Sequence, residues 1–199
     1  MKLKVITDIL PKDFVSIHEQ AFEGFFLTSL GSRFLFLYYT TLVKSSKGLV
    51  ICLFDDSDNL IGFAAGTKMS KGFHKEILLR NLFSYFYVLL HLLMTRPVSI
   101  IRLFKNLNKN NKVNDDDGNY AELLSIAVPP NRNGNGYGKK LLAGFEEILE
   151  SFGSEKVALT TDFYSNEGVI AFYKGLGYEI AYDFIAYPNR RMYKLIKLL

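Results

Sequence analysis

A glycine-rich stretch at residues 131–140, NRNGNGYGKK, carries residue types that could bind an anion. Gly134, Gly136 and Gly138 alternate along it, and two lysines follow directly. Glycine permits backbone conformations that a Cβ forbids, and it lets a ligand approach the main chain closely. Backbone N–H groups at the start of a helix, together with the positive end of the helix dipole, bind phosphates. The stretch therefore predicts a phosphate-binding loop that opens a helix.

The spacing of the glycines excludes two common nucleotide-binding motifs. A P-loop requires four residues between its glycines and then Gly-Lys-Ser/Thr. In the dinucleotide-binding fingerprint the third glycine comes one residue later than Gly138, and an acidic residue ends the following strand. Neither pattern is present at 131–140. A glycine-rich turn that only connects a strand to a helix is the alternative, since such turns are common.

A second segment, NEGVIAFYKGLGY at residues 166–178, has the pattern of a short helix with glycines at its end. Asn166 is a preferred residue type at the N-cap of a helix. Tyr173 carries a phenol whose ordinary pKa, about 10, keeps it protonated at neutral pH. Such a hydroxyl can donate a proton to a leaving group. The alternative is an amphipathic helix whose aromatic side chains only pack inward.

The two segments together resemble the GCN5-related N-acetyltransferase (GNAT) family. The sequence SIAVPPNRNGNGYGKKLL is similar to its acetyl-coenzyme A signature, in which Arg or Gln, two residues, Gly, one residue, and Gly or Ala open a helix. Gly136 and Gly138 occupy the glycine positions, whereas Asn133 takes the Arg/Gln position with Arg132 beside it. The second segment resembles the family's downstream pattern of Asn, a small residue, an aromatic pair, and Gly with an aromatic. The resemblance is specific over residues 120–178.

The resemblance implies a donor site for acetyl-coenzyme A (acetyl-CoA), built by the glycine loop and the strand before it. Main-chain N–H groups from Asn133 to Gly138 would hold the diphosphate, and the pantetheine arm would pair with the strand at 125–128. Main-chain N–H groups near Ile126 would stabilise the oxyanion of the reaction. The residues expected to contact the donor are Ile126, Ala127, Val128, Arg132, Asn133, Gly134, Asn135, Gly136, Tyr137, Gly138, Lys139, Asn166 and Tyr173.

Two residues are implied as catalytic. Tyr173 matches the family tyrosine that protonates the departing thiolate. Glu122 matches the strand position of the base in the histone-modifying members. Alternation along AELLSIAV places Glu122 on the same face as Ile126 and Val128, where burial in a cleft would raise the pKa of its carboxyl group. The alternative is that Glu122 lies in solvent at the start of the strand and that water is the base.

The elements that must position these residues follow from apolar periodicity and turn residues. Helices are predicted at 11–22, 32–43, 139–152 and 166–174, and strands at 2–6, 49–54, 60–68, 120–128, 156–162, 178–187 and 191–199. Polar turns predict antiparallel hairpins within 49–68 and 178–199. The resemblance implies an α/β (α+β) fold with a mixed, mostly antiparallel GNAT-type sheet of six to seven strands, flanked by helices. A single acetyltransferase domain is expected over residues 1–199.

An apolar insertion at residues 72–107 precedes the fourth predicted strand, and a polar loop follows it at 108–119. The uncharged run between Arg80 and Arg96 is shorter than the roughly 20 residues that a membrane-spanning helix needs. We therefore expect two apolar helices. They would pack over the domain's own core, cover an acceptor pocket, form a homodimer interface, or contact a membrane surface through residues 76–107.

The composition excludes several other function classes. Of the 199 residues 49% are apolar, and the net charge of +4 is too small for a nucleic-acid-binding protein. Cys52 stands alone in an apolar run, and the three histidines lack partners at metal-ligand spacing, so we expect neither a disulfide nor a metal site. The chain starts without the apolar segment of a secretion signal, so a cytoplasmic location is expected.

The predicted function is that of an acetyl-CoA-dependent N-acetyltransferase acting on the primary amine of a small molecule. The stretch at residues 21–39 resembles a subgroup found beside polysaccharide and glycolipid assembly enzymes, which makes an amino sugar a candidate acceptor. Two alternatives stay open. The acceptor could be an amino group of a protein or peptide, or the chain could be an acyl-CoA-binding module without turnover.

Overall fold

The computed structural model describes residues 1–95 and 116–199, which contain seven strands and seven α-helices. The strands are β1 (Lys2–Val5), β2 (Gly48–Phe54), β3 (Leu60–Thr67), β4 (Ala121–Ala127), β5 (Lys156–Asp162), β6 (Glu179–Ala186) and β7 (Arg190–Leu198). The helices are α1 (Phe14–Ala21), α2 (Phe26–Ser29), α3 (Ser32–Val43), α4 (Phe73–Arg80), α5 (Leu82–Thr95), α6 (Tyr137–Ser151) and α7 (Glu167–Lys174). The predicted elements are present, but α1 begins at Phe14, because Phe14 N donates to Pro11 O in a turn (3.1 Å).

The strands form one mixed sheet in the order β1-β2-β3-β4-β5-β7-β6. The pair β4–β5 is parallel, and the other neighbouring pairs are antiparallel. A parallel pair needs a crossover connection, which α6 supplies between β4 and β5. The predicted fold class, a mostly antiparallel sheet flanked by helices with a helical insertion before the fourth strand, is confirmed.

The sheet separates two apolar clusters. The first lies under α1, α3 and α5 and includes Phe14 and Phe63, whose rings stack at 3.8 Å. The second lies under α6 and includes Phe145 and Leu149. Cys52 is buried in the first cluster, where burial raises the pKa of its thiol to about 12. The thiol therefore stays protonated and serves as a core residue.

A β-bulge in β4 changes which side chains share a face of the sheet. On β3, Ala65 pairs with Ser125 while the next residue, Gly66, pairs with Leu123, so Leu124 is the extra residue. The bulge puts Leu124 in the cluster under α3, but Ile126 in the cluster under α6. The expectation that Glu122 shares a face with Ile126 and Val128 is therefore wrong, because one extra residue reverses the alternation.

Strands β4 and β5 separate beyond the bulge. Their pairing covers three positions and ends at Leu123 opposite Leu159. Farther along, β4 still pairs with β3 through Ala127, and β5 still pairs with β7 through Asp162. The edge of β4 that faces β5 consequently has no strand partner among the described residues from Leu124 onward. A wedge-shaped opening results in the middle of the sheet.

The apolar insertion forms α4 and α5 within its described part. On α5, Tyr85 and Leu92 are buried, and the Tyr85 ring packs 5.9 Å from the Phe34 ring of α3. The outer face of α5 exposes a row of apolar side chains, namely Leu82, Phe83, Phe86, Tyr87, Leu90 and Met94. No helix within 1–95 and 116–199 is long and apolar enough to cross a bilayer. The predictions for residues 96–115, including the second apolar segment and most of the polar loop, lie outside the described residues.

A buried ion pair joins β4 to β7 across β5. Lys194 Nζ lies 2.7 Å from Glu122 Oε1, and Ser70 Oγ donates to the other carboxylate oxygen at 2.6 Å. Both charged residues are less than a tenth exposed, at 4% for Lys194 and 8% for Glu122. A buried carboxylate without its cation is strongly destabilising, whereas exposed ion pairs contribute little.

Lys194→Met should lower the free energy of unfolding by about 3–5 kcal/mol, because it leaves the Glu122 carboxylate buried without a cation. Urea denaturation measures the change. The control is Lys4→Met, which removes an exposed pair with Asp58 (3.0 Å) and should cost less than about 1 kcal/mol. Equal losses for the two variants would show that burial of the Glu122–Lys194 pair is not what makes it important.

Candidate active site

A cavity of about 740 Å³ opens where β4 and β5 separate. Its walls come from β4, the glycine loop, the start of α6, the end of β5, α7, and the segment from α1 to α2. Of the expected donor-site residues, those that line it are Ile126, Val128, Arg132, Asn133, Gly134, Gly136, Tyr137, Gly138, Lys139, Asn166 and Tyr173. Ala127 is buried in the core, and Asn135 braces the loop by donating to the carbonyls of Arg132 and Asn133 (3.1 and 3.2 Å).

The glycine loop ends at the N-terminus of α6, with the glycines in the conformation that favours them. Gly134 and Gly136 have φ of +81° and +73°, in the left-handed region. The first bond into the helix is from Lys140 N to Gly136 O (3.1 Å), so the preceding N–H groups of α6 have no partner within the helix. Tyr137, Gly138 and Lys139, whose N–H groups these are, line the cavity. The helix therefore presents an anion-binding end to the cavity.

Arg132, in the glycine loop, has a side chain that is hydrogen-bonded to the sheet. Its guanidinium group donates to Leu60 O at the start of β3 (3.3 Å), and the residue also lines the cavity. Asn133, at the position where the signature has Arg or Gln, is exposed on the loop and lines the cavity as well. Arg132 thus supplies positive charge, and Asn133 supplies an uncharged polar group, at the same wall.

Tyr173 lies on α7 with its side chain in the cavity wall. The residue is 6% exposed, and its hydroxyl makes no hydrogen bond to any described residue. Burial raises the pKa of the phenol well above its ordinary value. Its ring is fixed by edge contacts with Phe172 and Tyr178, at 5.1 and 5.5 Å. The Tyr173 hydroxyl is therefore protonated and fixed in position, and its O–H group is available to donate a hydrogen bond.

Asn166 stands at the N-cap of α7, as predicted, but its side chain does not cap the helix. The side-chain amide donates to Thr161 Oγ1 (2.6 Å) and to Asp162 O (2.9 Å) instead. The predicted cap bond is therefore wrong, because the end of β5 competes successfully for the same amide. Asn166 joins α7 to the cavity edge of β5.

Glu122 does not line the cavity. The residue is 8% exposed, which contradicts the alternative that it lies in solvent. Its carboxylate is held by Lys194 of β7 and by Ser70, neither of which lines the cavity. The structure does not bring the two residues expected to be catalytic into one cavity, and the base role of Glu122 stays a prediction.

A hydrogen-bonded group not expected from the sequence borders the cavity near α1. Tyr39 Oη lies 2.8 Å from His18 Nδ1 and donates to Ser125 Oγ at 2.9 Å. His18 and Ser125 both line the cavity. His18 is 2% exposed, and its Nε2 is buried without a hydrogen-bond partner among the described residues, which costs about 1–3 kcal/mol. The sequence signal was a histidine on the apolar face of α1, which also fits an ordinary core position.

Aromatic side chains line one end of the cavity. Phe22 and Phe25 come from the segment between α1 and α2, and Phe26 is the first residue of α2. Arg190 lies beside them, with its guanidinium carbon 5.0 Å from the centre of the Phe25 ring and with a two-point ion pair to Asp162. This end of the cavity therefore combines the flat rings of the three phenylalanines with the guanidinium group of Arg190, which is paired with Asp162.

The amino-acid sequence matches the model of the Acetyltransferase (GNAT) family over residues 12–178. The match spans most of the chain and includes the residues that line the cavity, apart from Arg190 and Met192 on β7. The chain belongs to the GNAT acetyltransferase family. It is therefore an N-acetyltransferase, of the acyltransferase class, and acetyl-CoA is the acyl donor of GNAT enzymes. A comparison with curated protein sequences gave no match.

Solved GNAT structures share this fold at low sequence identity. A GNAT-family protein from Desulfovibrio desulfuricans has a TM-score of 0.61 and 15% identity, with 99% of each chain covered. The ribosomal-protein-S18-alanine N-acetyltransferase from Escherichia coli has a TM-score of 0.57 and 16% identity, covering 99% of this chain and 94% of that chain. A spermidine N-acetyltransferase chimera from Vibrio cholerae and hSSAT has a TM-score of 0.59 and 13% identity, covering 100% and 96%. These likenesses show the fold.

The polar side chains around the cavity do not form a metal-binding cluster among the described residues. Within the described ranges no group of three or more His, Cys, Asp or Glu side chains could hold a metal ion. The polar groups of the cavity wall are main-chain amides, hydroxyls, amides of Asn, an imidazole, the charged side chains of Arg132 and Lys139, and the Arg190–Asp162 ion pair. Such groups suit acyl transfer, in which hydrogen bonds stabilise an oxyanion and a leaving group.

Acidification should destabilise this GNAT protein through His18. Burial lowers the pKa of the imidazole to about 4 in the folded state, against about 6.5 in the unfolded chain. As the pH falls from about 6.5 to 4, only the unfolded state takes up the proton, so the free energy of unfolding should drop by about 3 kcal/mol. Urea denaturation at a series of pH values measures this drop. His18→Gln should remove it, and an identical pH dependence in that variant would contradict the assignment.

Proposed function

We propose that this chain transfers the acetyl group of acetyl-CoA to the primary amine of a small molecule. The observation that carries the proposal is the single cavity in which an anion-binding helix N-terminus, a strand edge without a strand partner and an unpaired tyrosine hydroxyl meet. Each of these groups has a task in acyl transfer from a nucleotide-tailed thioester. Together they account for both donor binding and proton supply.

The donor would bind along the glycine loop and β4. The free N–H groups at the start of α6 fit the diphosphate, with Arg132 and Lys139 adding positive charge at the same wall. The β5-facing edge of β4, from Leu124 to Val128, fits an extended amide-bearing chain such as pantetheine, because its main-chain groups lack a strand partner. Ala127 would take part through its main chain.

The same strand edge fits the oxyanion that forms when the amine adds to the thioester. A main-chain N–H near Ile126, on the edge of β4 that has no strand partner, would donate to the developing negative charge. Tyr173 would donate its proton to the sulfur as the carbon–sulfur bond breaks, since its hydroxyl is protonated and free. Asn135 would hold the loop in place through its bonds to the carbonyls of Arg132 and Asn133.

The aromatic end of the cavity supports a small acceptor with a ring, such as an amino sugar. Phe22, Phe25 and Phe26 offer flat surfaces, and Arg190 offers a cation at their side. An amino group of a protein or peptide is the second candidate. The similar structures include an enzyme named for a protein alanine and another named for spermidine, a small amine. Their TM-scores, 0.57 and 0.59, are nearly the same, so the acceptor must be found by assay.

A thiol-release screen tests the proposal. Purified protein and acetyl-CoA are incubated with glucosamine, spermidine, free amino acids or a peptide with a free N-terminus, and CoA release is followed over time. Glucosamine or another small amine should accelerate release. Acceleration by the peptide alone would favour the protein acceptor, and CoA binding without any acceleration would favour an acyl-CoA-binding module.

Gly136→Ala should weaken CoA binding about tenfold, the equivalent of roughly 1.4 kcal/mol, because it strains the loop at the helix N-terminus that holds the diphosphate. Gly153→Ala is the matched control. Both glycines have φ near +75° (+73° and +77°), and an added Cβ at either would meet no atom within 4 Å. The two substitutions therefore carry the same backbone strain. Isothermal calorimetry should show weaker binding for Gly136→Ala alone, and equal affinities would argue against diphosphate binding at this loop.

Tyr173→Phe should lower kcat about 100-fold, because the departing thiolate loses its proton donor. CoA affinity should stay unchanged, since the ring and its packing are kept. The control is Tyr164→Phe, a tyrosine that is 65% exposed and outside the cavity. Steady-state kinetics with the best acceptor of the screen measures both variants. Wild-type kcat in Tyr173→Phe would exclude the proposed acid role.

The outer face of α5 is relevant to possible partners of the protein. Its row of exposed apolar side chains fits contact with a second copy of the chain or with a membrane surface, as considered from the sequence. The basic residues that such a membrane contact would use are Arg80, which ends α4, and Arg96, Arg102 and Lys105, which lie outside the described residues. The homodimer, the membrane-surface contact through residues 76–107 and the cytoplasmic location all stay predictions.

A further inference from the structure

His18 is a buried histidine with one nitrogen unsatisfied at the edge of the cavity. Its Nδ1 contacts Tyr39 Oη at 2.8 Å, whereas Nε2 is shielded from solvent and has no hydrogen-bond partner among the described residues. Buried polar atoms nearly always have a hydrogen-bond partner, so an atom without one indicates a partner from outside the protein, such as a bound molecule. Because His18 lines the cavity, a molecule bound there is the natural partner.

Tyr39 and Ser125 determine which nitrogen of His18 carries the lone pair. With Tyr39 assigned as the donor to Ser125 Oγ (2.9 Å), the Tyr39 oxygen is left to accept a hydrogen bond from Nδ1–H of His18. The lone pair is then on Nε2. Tyr39 is completely buried, and its ring packs against Phe14 and Phe63 at 4.8 and 5.5 Å. The hydroxyl that orients the imidazole is thus itself held in a rigid position.

The surroundings of the imidazole keep it in the uncharged form. The rings of Phe22 and Phe63 lie 4.8 and 6.4 Å away, and Tyr39 is the titratable side chain that touches it from α3. Ser125, from β4, is the other polar group of the cluster, while Glu122 on the same strand is paired with Lys194. Burial lowers the pKa of His18 to about 4, so the ring is neutral at physiological pH.

We propose that His18 Nε2 accepts a hydrogen bond from the acceptor amine and takes its proton, with Tyr39 and Ser125 as positioning residues. The proposal rests on the proposed function and names the proton acceptor of that reaction. The amine nitrogen bonds to the thioester carbonyl carbon, and the carbon–sulfur bond breaks. One nitrogen-bound proton passes to Nε2 and then to solvent, while Tyr173 protonates the sulfur and recovers a proton from solvent. The products are one amide and one thiol.

Kinetics of His18→Gln test the proposal with the amines of the screen, namely glucosamine, spermidine, free amino acids and the peptide. Glutamine keeps a hydrogen-bonding group but cannot take a proton, so kcat should fall about 100-fold or more while the KM for acetyl-CoA stays unchanged. The control is His74→Gln, which alters an exposed histidine of α4. Wild-type kcat in His18→Gln, with an amine that the wild type acetylates, overturns the proposal. Calorimetric CoA binding checks that the variant is folded.

Nitrogen-15 NMR of the imidazole rings tests the proposal without any acceptor. In the wild type at pH 7, the His18 signals, identified by their loss in His18→Gln, should show Nδ1 protonated and Nε2 bare. Tyr39→Phe should abolish this fixed tautomer and lower kcat with an unchanged KM for acetyl-CoA. A protonated Nε2 in the wild type overturns the proposal.

The outcomes separate this proposal from the proposed function. Wild-type protein that fails to bind CoA, or that acetylates no amine, refutes the proposed function and with it the role of His18. Protein that binds CoA and acetylates an amine, but has Nε2 protonated, refutes the role of His18 alone. A bare Nε2 together with a lowered kcat in His18→Gln supports both.

Discussion

The parting of β4 from β5 after Leu123 is the constraint on which the site depends. Two strands that paired to their ends would fill the centre of the sheet and leave no strand edge for an extended ligand. Here β4 carries an extra residue, Leu124, and Gly66 stands opposite, where an added Cβ would meet the Glu122 carbonyl oxygen at 2.1 Å. The bulge therefore requires a residue without a Cβ at position 66. The cavity, the helix N-terminus and Tyr173 are arranged around the resulting gap.

The bulge also divides two buried polar groups between different tasks. Before it, Glu122 meets Lys194 and Ser70 and closes the paired part of the sheet. After it, Ser125 meets Tyr39 and His18 and borders the cavity. Both groups include residues that are costly to bury alone. The first is satisfied within the protein, whereas the second has one nitrogen without a partner, and this difference distinguishes a structural cluster from a candidate functional one.

Local sequence rules predicted much of the fold. Apolar periodicity identified α3 at Ser32–Val43 and β5 at Lys156–Asp162 with the observed bounds, because each has a clear period and turn residues at its ends. Short α2, at Phe26–Ser29, was not predicted, since one turn of helix has no period to detect. The glycine loop could be predicted because its requirement for glycine at positive φ is local to the backbone.

The sequence by itself determined the elements, the glycine loop at 131–140 that opens α6, and the helix that carries Tyr173, because each depends on residues that are neighbours along the chain. Only the tertiary structure determined the surroundings of Glu122, because a one-residue bulge in β4 and a lysine 72 positions away place its carboxylate in a buried ion pair. It likewise decided that His18, Tyr39 and Ser125 meet at the cavity. Their contacts cross 21 and 86 positions of sequence, and no local rule of periodicity or spacing reaches that far.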